Sequence, residues 1–399
     1  MLSMSMRLND EAMRQFTLAK IQDGTNMRKS SLDFSADGRR LLVCDPSTLT
    51  LISSSRQSVL CQVHMHHYSP EVACFAQPEN RVLHGSSKTN YSIYCQDLNI
   101  RSVVRQFCGH SKGAHILSTQ PANSNIFISA GRDDQVYMWD FRVPTHTYHL
   151  KKLLSPLCDY DPTGMTFATT SKSMRVDIHD VRKLGEKPRL KFEYNNNDGA
   201  DWTQLQFSPD GKTLLLSTNR SRFFSLDALT GCLHQSFSGY CNEQCLPLKA
   251  AFTPDSQFVL SGDDHGQVYV WRASSGKVAA LLRGRNVGPV RCLRFNPKAT
   301  MFVSSNQRVS FWMPKRNGVY DWVEAPEAPE AQAVRKSKAN PKPFPKPIMM
   351  PLPMTERNQP QSWLSIHNRH LKRRRMGPPT IDLTGSDDES ELEDGEIRN

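Results

Sequence analysis

Two groups of side chains in this sequence are of types that hold metal ions. The stretch HMHHY, His64–Tyr68, has three histidines within four residues. Imidazoles that close can chelate nickel or zinc, but in a strand or loop they point in different directions, so no native site is expected there. Ten cysteines are scattered along the chain without a CxxC; Cys241 and Cys245 are closest, with His234 and His265 the nearest histidines. That spacing matches no zinc module. Reduced, mostly buried thiols of an intracellular protein are expected, and no resident metal. No nucleophile elbow, P-loop, HExxH or paired-carboxylate pattern is present, so neither a catalyst nor a cofactor is expected.

The remaining chemistry is charge. The 399 residues carry 50 Lys and Arg against 39 Asp and Glu, a net charge of +11. Residues 315–399 account for 14 of the cations and 13 of the acids. The excess therefore belongs to the first 314 residues and favours an acidic partner: a phosphorylated peptide, a nucleic acid or an acidic protein surface. MLSMSMRLND at the start lacks the apolar run of a signal peptide. No stretch reaches the ~18 apolar residues that span a bilayer, so no membrane partner is expected.

The elements that must position this charge are written in a repeat. SAGRDDQVYMWD, Ser129–Asp140, and SGDDHGQVYVWR, Ser261–Arg272, lie 132 residues apart, three steps of 44. Upstream of each is a strand ending in a turn, as in LDFSADGRR at Leu32, LQFSPDGKT at Leu205 and AAFTPDSQF at Ala250. With Phe34, Phe75, Ser118, Tyr160, Phe207, Phe252 and Phe295 as markers, seven copies follow at steps of 41, 43, 42, 47, 45 and 43. Pro, Asp, Asn and Gly stand where a tight turn needs a fixed or positive φ. Alternating apolar runs follow each turn and predict strands. A period of ~40–45 residues with four strands is a propeller blade. One such sheet has two apolar faces and cannot stand alone; packing seven around an axis buries both and leaves only short edges. A strand near RQFTLAKI, Arg14–Ile21, can become the outer strand of the last blade, so that cutting residues 1–21 would destabilise the ring.

Gly109–His110, followed 29 residues later by Trp139–Asp140, resembles the WD-repeat signature. The resemblance implies a buried hydrogen-bond chain through His110, Ser129, Asp133 and Trp139, a structural role. Blade three alone has the full set. Blade six has His265 at the family's Asp position and Arg272 after its Trp, and blades one, two, four and five lack the Trp. Those blades are expected to be less rigid. The expected organisation is all-β: a flexible N-terminus 1–13, a seven-bladed WD40 β-propeller over 14–314, and a disordered tail 315–399.

RLNDEAMRQFTLAKI, QFCGHSK, DWTQLQFSPDGKTLLLSTN, AFTPDSQFVLSGDDHGQVYVW and GPVRCLRFNPKATMFVSSNQRVSFWMP together resemble the small WD-repeat subunit of the COMPASS histone methyltransferase, over residues 7–314. The first two blades depart most, as in LVCDPSTLTLISSSRQ and HMHHYSPEV. The resemblance implies a non-enzymatic nuclear adaptor. Its partners would be a histone methyltransferase catalytic subunit, the serine-phosphorylated C-terminal repeat of RNA polymerase II and a protein phosphatase type-1 complex. An RNA-processing or RNA-binding scaffold is the alternative reading of the same charge.

Loops before the first strand of a blade, and between its second and third strands, lie on one rim. Arg28, Lys29, Lys112, Arg132, Lys172, Arg220 and Arg285 fall on such loops and would suit a multiply phosphorylated peptide. The tail holds eleven of the 25 prolines. Its PKPFPKPIMMPLP reads as an extended spacer and a candidate ligand for an aromatic groove. Lys372, Arg373, Arg374 and Arg375 suit a nuclear-import receptor, or else a nucleic-acid clamp. Ile381, Asp382, Leu383 and Thr384, ahead of a dense acidic cluster, resemble a SUMO-interacting motif that pairs by strand addition. Ser386 and Ser390 precede acids, and phosphorylation there would add charge to that contact.

Overall fold

A computed structural model describes residues 8–320, except 24–26, 67, 78–79, 88–89, 173, 195–198, 285–287 and 317–318. Seven antiparallel sheets form the blades of a β-propeller, six of them built from four consecutive hydrogen-bonded strands. Blade one runs through Ser31–Phe34, Arg40–Cys44, Thr48–Ser53 and Ser58–His64, and blades two to six repeat this order.

Blade seven joins an early strand to late ones. Its Cys292–Phe295, Phe302–Ser305 and Val309–Arg316 come late, and its outer strand is Phe16–Gln22. Leu18 stands opposite Trp312, and Phe16 opposite Pro314. The expected closing strand thus exists, displaced by about two residues. Residues 8–15, largely within the segment expected to be flexible, are folded. Asn9 caps the short helix Asp10–Arg14 through the Ala12 amide, and Met13 is fully buried.

The recurring turn has a chemical reason. In the first copy the Ser35 hydroxyl donates to Asp37 at 2.5 Å and accepts from the Arg40 amide at 3.0 Å, while Gly38 takes a φ of +71°. Ser208–Asp210 and Thr253–Asp255 repeat the arrangement. A hydroxyl, a carboxylate two residues on and a residue tolerant of positive φ close the turn and start the next strand.

The apolar core is a ring of clusters, each shared by two adjacent blades. Leu32, Leu41 and Val43 of blade one meet Val303, Val309 and Phe311 of blade seven. Phe107 of blade two meets Phe127 and Trp139 of blade three. A single blade would expose both its faces, and burying one Phe or Leu contributes about 1.5–3 kcal/mol.

Around the axis the blades are tied by side chains rather than by sheet pairing. Ser31 bonds the Ala73 amide at 2.9 Å, Asp33 the Phe75 amide at 2.9 Å, and Asp159 the Phe207 amide at 3.0 Å. Gln204 bonds both the amide and the carbonyl of Ala250. These first strands enclose a channel with a cavity of about 170 Å³, lined by Arg294 and by the half-buried carboxylates of Asp33 and Asp159. Burial lifts both, Asp159 to about 6.

Candidate anion-binding mouth of the propeller

Blade three holds the polar chain that fixes its shape. Trp139 Nε1 donates to Ser129 Oγ at 2.8 Å, and that oxygen lies 2.8 Å from His110 Nε2. His110 Nδ1 is 2.9 Å from Asp133. An indole nitrogen only donates and a carboxylate only accepts, so Trp139 gives its proton to Ser129 and the Nδ1–H of His110 points at Asp133. Burial opposes ionisation of Asp133, but bonds from His110 and the Ser111 amide hold its pKa below the usual carboxylate value. The Asp133 and His110 side chains are about 98–99% buried, so the chain is a strut and touches no solvent-borne substrate.

Two other blades carry partial versions. In blade four, His179 stands at the tryptophan position, opposite Phe167 as Trp139 is opposite Phe127, with Nε2 3.1 Å from Thr169 Oγ1. In blade seven, Trp312 donates to Ser304 at 2.9 Å. In blade six, Trp271 turns to the Ser238 carbonyl, and Arg272 pairs with Asp10 of the N-terminal helix at 2.6 Å.

At the rim formed by loops that precede first strands or join second to third, one end of the channel opens into a basin with a cavity of about 260 Å³. Arg28, Lys29, Arg132, Lys249 and Arg291 line it, with His115, Trp202 and Thr203, against Glu71 as the one acid among the described residues. The expected rim cations separate here. Arg28, Lys29 and Arg132 reach the basin, whereas Lys112, Lys172 and Arg220 are not among its lining residues. Lys29 is spent internally: its ammonium is 3.0 Å from Asp45, and both side chains are buried. Arg132 pairs with Glu71, Lys172 lies 3.1 Å from Asp201, and Arg220 reaches the Cys245 sulfur at 3.6 Å.

Lys249, Arg291 and His115 were not foreseen. Each sits at the start of an innermost strand, three or four residues ahead of the markers Phe252, Phe295 and Ser118. That offset is the signal the repeat contained. The Lys249 amide donates to the Arg291 carbonyl at 3.0 Å, fixing the two backbones together. Arg291 Nε is buried and has no hydrogen-bond partner among the described residues; neither have Trp202 Nε1, Thr203 Oγ1 and His115 Nδ1. Burial and the nearby Arg28 cation push the Arg291 guanidinium below the usual arginine range. Burial, then Arg132, pushes His115 down to about 4, so its ring is neutral at pH 7. An undersatisfied basin crowded with cations relaxes when an anion enters.

Arg285, Lys372–Arg375 and Ile381–Thr384 lie outside the described residues. Of the histidine stretch, His64 and His66 are 6.3 Å apart between ring centroids, and Tyr68 stacks on Tyr94 at 4.4 Å.

The sheets, their closure and the blade-three polar chain define the class: this is a WD-repeat β-propeller. The sequence profile of the WD domain, G-beta repeat, matches residues 101–140 and 232–272. The chain is 33% identical over 312 residues to WD repeat-containing protein 82 of Drosophila melanogaster, covering 78% of this chain and 98% of that one. It is 27% identical over 300 residues to COMPASS component SWD2 of Saccharomyces cerevisiae, covering 71% and 90%. Set1 complex component swd2 of Schizosaccharomyces pombe is 25% identical over 256 residues, 61% of this chain and 70% of that one. The chain belongs to this WD-repeat family.

Proposed function

We propose that the protein is a non-enzymatic nuclear scaffold of a COMPASS-type histone methyltransferase complex, and that its basin takes the serine-phosphorylated C-terminal repeat of RNA polymerase II. The family membership supports the first half, because two relatives are named as components of COMPASS and of the Set1 complex. The second half is carried by one observation: Arg28, Lys249 and Arg291 converge on a basin where Glu71, the single lining acid among the described residues, is already paired with Arg132. Phosphate oxygens would complete the bonds that Arg291 lacks, and charge-assisted bonds of this kind are the strong ones. In this reading a phosphatase type-1 complex is a further partner, Lys372–Arg375 direct nuclear import, and Ile381–Thr384 add a strand to SUMO.

Affinity purification of the full-length protein from nuclease-treated nuclear extract tests the scaffold. Recovery of a methyltransferase catalytic subunit is the expected result. Recovery solely of partners that disappear on RNase treatment would favour an RNA-processing scaffold instead.

A further inference from the structure

Cys241, Asp264 and His265 are brought together by two loops of blade six. Cys241 lies in the loop leading to the first strand, Ala250–Phe252; the other two lie between the second and third strands, Phe258–Gly262 and Gln267–Arg272. The Asp264 amide donates to the Cys241 carbonyl at 3.1 Å, which ties the loops together. One thiol sulfur, one carboxylate oxygen and one imidazole nitrogen then lie within 4.8 Å of one another.

The carboxylate is half used. Asp264 Oδ2 accepts from the Glu243 amide at 3.0 Å and faces the Cys241 sulfur at 3.8 Å. Oδ1 is buried with no hydrogen-bond partner among the described residues; His265 Nε2 stands 3.6 Å away, beyond bonding reach. The Asp264 side chain is 2% exposed, so this is an unpaired oxygen held inside the fold and turned toward an imidazole. Ligand atoms around a tetrahedral zinc are roughly 3.4–3.7 Å apart, so closing the cluster by about an ångström suffices.

We propose that Cys241 Sγ, Asp264 Oδ1 and His265 Nε2 bind one Zn²⁺, with the fourth position open to water. Thiolate and imidazole favour zinc over the hard cations Mg²⁺ and Ca²⁺. Binding breaks the S–H bond of Cys241; the sulfur lone pair goes to the metal and the proton to solvent, so affinity rises with pH. The ion clamps the loop that runs on to Lys249, beside the basin. The separation of 23 residues between Cys241 and Asp264 explains why no zinc spacing is legible in the sequence.

The test uses the full chain, stripped of metal and titrated with Co²⁺ and then Zn²⁺. One equivalent of Co²⁺ is expected, with tetrahedral visible bands and a thiolate-to-cobalt charge-transfer band, both displaced by Zn²⁺. Cys241→Ser removes the charge-transfer band. Asp264→Asn, which keeps the shape, and His265→Ala each weaken binding about tenfold or more. Cys245→Ser and the double change His64→Ala, His66→Ala leave the titration unchanged. Circular dichroism of the metal-free variants checks that each is folded. The proposal is overturned if the wild-type chain retains no equivalent, if cobalt binds without a thiolate band, or if the His64/His66 change abolishes binding.

Discussion

The backbone amide of Lys249 donates to the carbonyl oxygen of Arg291 at 3.0 Å, joining the start of blade six to the start of blade seven. The bond sets two cations beside each other at the mouth of the channel. Coulomb's law opposes that arrangement, and it persists because the blades on either side are packed through their own apolar faces. The propeller thus supplies rigidity, and the basin holds charge that the fold itself leaves uncompensated.

Relieving that charge should therefore raise stability. Arg291→Met keeps the apolar stem and removes an unpaired buried guanidinium nitrogen. The denaturation midpoint of Arg291→Met is expected to equal or exceed that of the wild type, while affinity for a phosphorylated peptide falls about tenfold or more. Lys172→Met, at a pair with Asp201 in which both side chains are more than half exposed, should alter neither.

Ring closure depends on Phe16. It is 2% exposed and packs on Phe295 and Phe302, with centroids 5.9 and 5.4 Å away. Phe16→Ala should cost about 3–5 kcal/mol in chemical denaturation. Asp10→Asn, which breaks the exposed pair with Arg272, should hardly move the midpoint at neutral pH. Similar small losses for both variants would mean that the closing strand is dispensable.

Ser129→Ala deletes one oxygen and orphans two buried groups, Trp139 Nε1 and His110 Nε2. A loss of about 2–4 kcal/mol is expected, with the loss of Trp139 fluorescence structure at lower denaturant. The matching blade-four change, Thr169→Val, orphans only one side of a two-member pair and should cost less.

Acid should weaken the fold through neutral buried histidines. Burial holds His84, His115 and His179 down at about 4, against an ordinary value of 6.5. Between those pH values the unfolded chain binds protons that the folded chain does not. Their contribution is therefore complete above pH 6.5 and is lost as pH falls toward 4, by up to about 1.4 kcal/mol per unit for each histidine. His84→Phe keeps the stack on Tyr68 and Tyr94 and removes a titrating group. A shallower fall of stability from pH 6.5 to 4.5 is the expected outcome; an identical slope would contradict it.

What was legible in the sequence follows the physics of turns and pleats. Phe34, Phe207 and Phe252 announce their strands because a Ser or Thr, an Asp and a residue at positive φ must follow them. The closing strand was legible because the first turn marker, Phe34, lies far enough into the chain to leave room for a strand before it; the helix Asp10–Arg14 was not, since five residues carry no period and its partner Arg272 reads as a lost Asp. Among the cations, loop position placed Arg28, Lys29 and Arg132 around the basin but did not tell which charges have partners. Lys29 and Asp45 are far enough apart in the sequence to conceal a buried pair. Lys249 and Arg291 look like ordinary surface residues until the ring brings them to one mouth.

The most direct test of the account is a titration of the full-length protein with heptad-repeat peptides, serine-phosphorylated or plain, at one fixed salt concentration. The phosphorylated peptide is predicted to bind at least about tenfold tighter, and the double variant Lys249→Ala, Arg291→Ala to lose that difference. Equal affinity for the two peptides, or a preference that survives in the double variant, would contradict the assignment of the basin.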